Sequence, residues 1–371
     1  MKLNKKIHII CFDVPYPPTY GGVIDVFYKI KALADNGVEV YLHVFYYGRK
    51  QQDVLNKYCK EVHYYKRNTT WINALGLMPY IVKSRKSEAL SKNLERVKAP
   101  ILFEGLHTTF LLKNKRFKDR KLFVRTHNIE HLYYKQLSKN ESNVFKKLFY
   151  SFEAVKLKYY EKNLKHSNAI LSLSKNETTY FEKKFGEKVM YLPAFHPSEG
   201  YHELSKKGYF ALYHGNLSVT DNMKAALLLI DAFKPLDYPL VIAGQTSDKK
   251  FHSKIDQHKN ISFIELKDEA HLFELLNRAH VNVLYSSNNS GLKLKLINAL
   301  FQSRYVIANN NMADGSGLES LCKIANNKAE IINQLLKITE KDFPDEDIAA
   351  RKDLLKLYDK NVNVQMLIQE L

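Results

Sequence analysis

The chain has 371 residues, of which 45% are apolar, with three cysteines and a formal net charge of +18. That length exceeds what a single hydrophobic core usually supports, so two domains are expected, and the composition excludes a disordered chain. Cys11, Cys59 and Cys322 are odd in number and far apart, which excludes a disulfide framework and fits a reducing compartment.

The charge is unevenly spread. Residues 1–190 carry 36 Lys and Arg against 17 Asp and Glu, whereas residues 191–371 carry 21 against 22. The whole excess lies in the first half, which implies an anionic surface or polymer as its partner. Met1–Asp13 begins basic and turns apolar, but His8 and Asp13 bound a run too short for a signal peptide, and no small-residue cleavage site follows. No stretch reaches the ~18 apolar residues of a membrane span. A cytoplasmic location is expected.

In chain order, Ile7–Asp13 reads as a buried strand and Gly22–Asn36 as a helix, with Val23, Val26, Phe27, Ile30, Leu33 and Ala34 on its apolar side. Asn36-Gly37 supplies a left-handed stop, and Val38–Tyr46 is a second strand. Ile101–Phe103 and Leu122–Val124 are short buried strands separated by a basic stretch, residues 113–121. Ser142–Lys165 reads as one long helix whose Phe145, Leu148, Phe149, Phe152, Val155 and Tyr159 recur at helical spacing, a stripe read as core in preference to membrane-facing. Ala169–Ser174 and Lys188–Leu192 complete the first set of strands. Pro193-Ala-Phe-His-Pro197 resists regular structure and marks a hinge. The expected divisions are residues 1–195, residues 196–345 and a helical tail, residues 346–371.

In the second half, Tyr213-His-Gly-Asn216, Pro239–Gln245, Asn260–Glu265 and His280–Tyr285 alternate with helices, and polar or glycine residues fall where the strands end. Ligands of open α/β sheets bind beyond those carboxyl ends. Ser290-Gly-Leu-Lys-Leu-Lys295 then reads as a glycine turn entering a helix. Lys293 and Lys295 oppose the helix dipole unless an anion, most simply a phosphate, sits at its start. The same residues also read as two solvated lysines on an ordinary helix. The 14 histidines show no metal-ligand spacing, so no metal site is expected.

With Tyr16-Pro-Pro-Thr-Tyr-Gly-Gly22, Arg125-Thr-His-Asn-Ile-Glu130, Gly215-Asn216, Ile242-Ala-Gly244 and the Gly291 turn in this order, the chain resembles the retaining glycosyltransferases of family 4 over nearly its whole length. The resemblance implies an α/β chain of GT-B architecture: two Rossmann-like βαβ domains facing each other across a cleft, and a C-terminal helix crossing back to the first. It implies transfer of a sugar from a UDP- or GDP-linked donor, without metal or other cofactor, to a saccharide or polyprenyl-linked acceptor. Surface polysaccharide or glycolipid synthesis at the inner membrane face is the expected setting, with the basic half on anionic lipid.

By the same resemblance, His127 lies near the donor sugar and Glu104 contacts the acceptor. Each also reads as a structural residue, and Arg125 either binds an anion or pairs with Glu130. Gly21, Gly22, Gly215, Asn216, Asn222, Gly244, Ser290, Gly291, Leu292, Lys293, Lys295 and Asn298 are the candidate donor contacts.

Two departures stand out. The family's paired glutamates, eight positions apart, are Ser290 and Asn298 here. Its Arg after the strand glycine and Lys six positions later are Asn216 and Asn222. Lys293 and Lys295 therefore read as phosphate charge moved to the facing turn. The competing readings are a GT-B glucosyltransferase acting on nucleic acid, for which no recognition module is found, and a non-catalytic sugar-nucleotide-binding subunit.

Overall fold

The computed structural model describes residues 5–198, 205–288, 291 and 293–371. Its contacts divide the chain into two compact units. The first holds the chain up to Pro197 together with Gly291 and Lys360–Leu371, and the second holds Ser198–Asn289 and Lys293–Asp359.

The first unit is built on seven parallel strands: β1 (Lys6–Cys11), β2 (Glu39–Tyr46), β3 (Glu61–Lys66), β4 (Ile101–Glu104), β5 (Leu122–Thr126), β6 (Ala169–Ser172) and β7 (Val189–Tyr191). Their order is β3-β2-β1-β4-β5-β6-β7, so the winding reverses between β1 and β4. The strands are apolar on both faces because helices cover both. Ile7, Ile9 and Cys11 of β1 point into one core cluster, and Ile10 into another. β3 was not recognised in the sequence, where its Val-His-Tyr-Tyr pattern lacks a continuous apolar run.

The second unit carries six parallel strands: β8 (Ala211–Asn216), β9 (Leu240–Gln245), β10 (Ile261–Glu265), β11 (Val281–Leu284), β12 (Tyr305–Ala308) and β13 (Lys323–Ile324). The order β10-β9-β8-β11-β12-β13 places the reversal between β8 and β11. Ala211, Tyr213, Ile242, Val281, Val283 and Ile307 share one cluster, so alternate residues of four strands face the same core.

The tail divides at a different place from the sequence expectation of residue 346. The Asp345–Leu354 helix stays with the second unit, and only the segment from Lys360 joins the first. The reason is Arg351, which is 2% exposed, donates to the carbonyl oxygens of Ser303 and Arg304, and stacks 4.6 Å above the Phe343 ring. Val364 and Leu367 of the Lys360–Glu370 helix enter the first unit's core, and Gln365 donates to Asn36 Oδ1 at 2.9 Å.

The long helix also departs from its sequence expectation. The long helix is Val144–Tyr160, and its aromatic stripe is not core: Phe145 is 84% exposed, Phe152 67% and Tyr159 66%. Glu153 and Leu157 are the residues this helix buries. Leu157 enters the core, Glu153 accepts from the Tyr80 backbone N–H at 2.7 Å, and of the stripe Phe149 alone packs inward, 5.9 Å from the Tyr80 ring. Helical periodicity identifies an apolar face but not what covers it.

Candidate functional site

Each unit gathers its candidate residues at the carboxyl ends of its own strands, beside the point where the strand order reverses. In the first unit, β1 leads through residues 12–20 into the Gly21–Asp35 helix. That helix starts with no side-chain cap and no acidic residue in its first turn, so the first N–H groups, Gly21 and Gly22 among them, have no partner within the helix. At Gly22 a Cβ would lie 2.8 Å from Phe12 Cζ, so this glycine makes room for a ring.

Inside that helix, Asp25 and Lys29 are separated by one turn and face inward. Lys29 Nζ lies 2.9 Å from Asp25 Oδ2 and 2.8 Å from Glu104 Oε1, with all three side chains sealed from solvent. Arg125 of β5 donates to Asp25 through Nε at 3.1 Å and Nη2 at 2.9 Å. It also donates to the Leu192 and Pro193 carbonyls, so it does not pair with Glu130 as one sequence reading had it. The Phe195 backbone N–H donates to Asp25 Oδ1 at 2.9 Å. Burial alone would raise the Asp25 carboxyl, but the charges of Arg125 and Lys29 outweigh it and hold the group well below the usual carboxylate range. Glu104 is likewise held down: burial opposes ionisation, and Lys29 and the His127 hydrogen bond prevail.

His127 follows β5, and its Nε2 lies 2.9 Å from Glu104 Oε2. An ionised carboxylate only accepts, so Nε2 carries a proton in this contact. Nδ1 is buried with no hydrogen-bond partner among the described residues. Glu104, expected at the acceptor, is itself 0% exposed and faces Lys29 and His127. Its geometry is that of a group that orients His127.

Asp25, Glu104 and His127 offer three ligand atoms within 4.8 Å of one another, a donor set that their distant sequence positions conceal. Lys29 and Arg125 already neutralise both carboxylates, so a cation would have to displace the Lys29 ammonium. The arrangement is a closed ion-pair network that fixes the imidazole.

In the second unit, β8 and β9 end side by side with Gly215 opposite Gly244. A Cβ on Gly244 would stand 2.2 Å from the Gly215 carbonyl oxygen, and one on Gly215 would stand 3.2 Å from Asn222 Cγ. The glycines thus let the strand ends close together and bring Asn222 of the Thr220–Phe233 helix against them. Asn222 Nδ2 donates to the Asn216 carbonyl at 2.9 Å, and Asn216 Oδ1 accepts from Ser218 N at 3.0 Å.

Lys295, in the first turn of the Leu294–Gln302 helix, reaches to this point. Its Nζ donates to Asn222 Oδ1 at 2.8 Å and lies 5.3 Å from the Tyr213 ring centroid. Burial lowers its pKa to about 8, with Asp221 opposing and Lys293 adding to the fall. Asp221 accepts from Ser286 Oγ and Ser287 N, each at 2.8 Å, tying the β11 exit to this helix. Burial and the Lys295 charge push His214, one residue before Gly215, down to about 3.

Gly291, where a glycine turn was expected, has φ 68°, in the left-handed region. Lys293 caps the helix through its backbone alone, without a side-chain capping bond. Ser290 and Leu292 lie outside the described residues. Asn298 is 7% exposed, and its Oδ1 has no hydrogen-bond partner among the described residues. The sequence reading missed Asp25, Lys29 and Tyr213. The legible signal was two opposite charges at i and i+4 set within an apolar helix face.

Residues 209–341 match the family described as Glycosyl transferases group 1. A relative from Klebsiella pneumoniae, described as an uncharacterized 44.6 kDa protein in the cps region, is 27% identical over 332 residues, 84% of each chain. Among solved structures, the lipopolysaccharide outer core galactosyltransferase WaaB is similar with a TM-score of 0.66 at 14% identity, over 99% of this chain and 100% of that one. Anabaena HepE in complex with UDP and glucose is similar with a TM-score of 0.65 at 12% identity, over 99% of each chain. Residues 209–341 are thus similar to the Glycosyl transferases group 1 family, and the chain shares the GT-B fold of these solved structures.

Proposed function

We propose that the protein is a glycosyltransferase that moves a sugar from a nucleotide-diphosphate donor, with retention and without metal, to a saccharide or polyprenyl-linked acceptor in surface polysaccharide or glycolipid synthesis. The observation that carries this reading is the Lys295–Asn222 contact, 2.8 Å long. Asn222 stands where the resembling family places a phosphate-binding lysine. The Lys295 ammonium reaches that same point from another helix. A cation at the diphosphate neutralises the charge that develops on the leaving group as the glycosidic bond breaks.

In the first unit, His127, oriented by Glu104, is the candidate contact of a sugar hydroxyl, and the amides of Gly21 and Gly22 are candidate phosphate donors. Gly215, Gly244 and Gly291 keep the backbone near the phosphates, and Asn216 and Asn298 serve as uncharged donor contacts. HepE binds UDP and glucose, and the Klebsiella relative lies in a cps region; both support a nucleotide-sugar donor and a polysaccharide product.

Calorimetric binding of UDP and GDP, with ADP and CDP as controls, tests the reading in wild type and Lys295→Ala. Selective binding that the substitution weakens supports it. Equal binding by both proteins refutes the role of Lys295. The second reading, a non-catalytic sugar-nucleotide-binding subunit, is favoured by Asn298 in place of a glutamate. Donor hydrolysis by the purified protein excludes it.

A further inference from the structure

The Val144–Tyr160 helix turns an apolar stripe outward. Phe145, Leu148, Phe152, Val155 and Tyr159 are all more than half exposed, and they fall within an arc of about 100° at 3.6 residues per turn. A neighbouring loop continues this surface. Trp71 is 72% and Leu77 94% exposed, and the loop is held to the helix by Lys156 Nζ, which donates to the Ala74 carbonyl at 2.8 Å. Contiguous apolar surface of this kind marks an interaction site rather than ordinary scatter.

The charges around it have one sign. The helix contains Lys146, Lys147 and Lys158 besides Lys156, which pairs with the helix's single acid, Glu153, itself buried against Tyr80. Residues 62–87, which include the loop, hold five Lys and Arg and no Asp or Glu. Protein interfaces are depleted in lysine at their centres. A lysine-flanked face of Phe, Trp and Leu is instead the composition of a helix lying in a lipid headgroup layer. Each flanking cation adds about 1 kcal/mol at an anionic leaflet.

We propose that this face of the first unit, the helix stripe together with the Trp71 loop, docks on an anionic bilayer surface. The aromatic side chains enter the headgroup layer and the lysines sit over the lipid phosphates. The inference rests on the lipid-linked acceptor of the reading above for its purpose, while the docking itself needs neither donor nor acceptor.

Trp71 is the single tryptophan of the chain, so its emission reports on this surface alone. The full-length protein is mixed with vesicles of phosphatidylcholine, or of phosphatidylcholine with phosphatidylglycerol, and followed by flotation and Trp71 emission. The expected result is flotation and a blue shift with the anionic vesicles only, both weakened by salt. Phe145→Ser/Phe152→Ser, which changes two exposed positions, should weaken vesicle binding roughly tenfold or more. Lys147→Gln/Lys158→Gln should reduce the dependence on lipid charge.

Flotation without any change in Trp71 emission, or flotation unaffected by the serine pair, overturns the proposal. So does a dimer, seen by sedimentation velocity without lipid, that the serine pair dissociates: the face would then belong to a second copy. Nucleotide binding is measured on the same samples. Its absence in wild type refutes the donor reading without touching the vesicle result, and its retention in the serine pair shows that the fold is intact.

Discussion

Lys29 Nζ stands 2.8 Å from Glu104 Oε1, and neither side chain is reached by solvent. The ammonium also holds Asp25 at 2.9 Å, so one cation joins two carboxylates across the helix-to-sheet interface. Through Glu104 the same network orients His127. Removing one partner of a buried pair strands the other charge, which costs about 3–5 kcal/mol. Lys29→Met should therefore lower the urea midpoint sharply. Lys29→Met/Glu104→Gln should recover part of that loss, a coupling that a double-mutant cycle measures directly. Strict additivity of the two single variants would show that the residues do not act together.

Lys295 titrates near the working range. Its pKa is lowered to about 8, so the free protein carries the charge at pH 7 and loses it as pH rises through 8. Nucleoside-diphosphate affinity should fall over the same interval. Lys295→Arg, whose guanidinium stays charged, should bind with little pH dependence from pH 7 to 9. Lys295→Ala should lose ~1.5–3 kcal/mol of binding at pH 7, a factor on the order of 10 to 100. Calorimetry at several pH values separates these outcomes.

His8 and His43 form a buried pair on β1 and β2. His8 Nδ1 lies 3.0 Å from His43 Nε2, and His43 Nδ1 lies 2.9 Å from the Tyr65 hydroxyl. Burial pushes His8 down to about 4 and holds His43 well below the ordinary imidazole range. The unfolded chain takes up these protons below pH ~6.5 while the folded chain does not, so their contribution is complete above that pH and is lost as pH falls towards 4. Glu130 and Glu177 act in the opposite sense: burial raises them to about 8 and about 7, so the fold binds their protons first. The difference between proteins isolates each effect. Between pH 7 and 5, His43→Gln should lose less stability than wild type, and Glu130→Gln should lose more. Parallel slopes in urea titrations of all three would contradict the assignment.

Gly244 faces Gly215 across β8 and β9, and an added Cβ would stand 2.2 Å from a backbone oxygen that cannot swing away. Gly244→Ala should destabilise the second unit by about 1–3 kcal/mol, the usual range for overpacking. It should also displace Asn222 and weaken nucleotide binding. Gly37→Ala, at a turn where nothing approaches within 4 Å, tests backbone strain without that crowding. It should leave nucleotide binding unchanged.

The alternation of strands and helices, the two-unit organisation and the glycine-bearing strand ends were all legible in the residues. Strand, turn and helix patterns are local, and an apolar run between turn signals carries its own assignment. The uneven charge was legible for the same reason, since it is a property of composition. Three matters were decided only by tertiary structure. Asp25, Glu104 and His127 lie far apart in the chain, and the parallel crossovers that bring them together are long-range events. The Lys295–Asn222 contact joins residues 73 positions apart, so no spacing rule reaches it. The aromatic stripe of Val144–Tyr160 repeats as a core face does, yet Glu153 and Leu157 take the inward side and leave the stripe to solvent. Periodicity is set by the helix itself, whereas burial is set by what the rest of the chain places beside it.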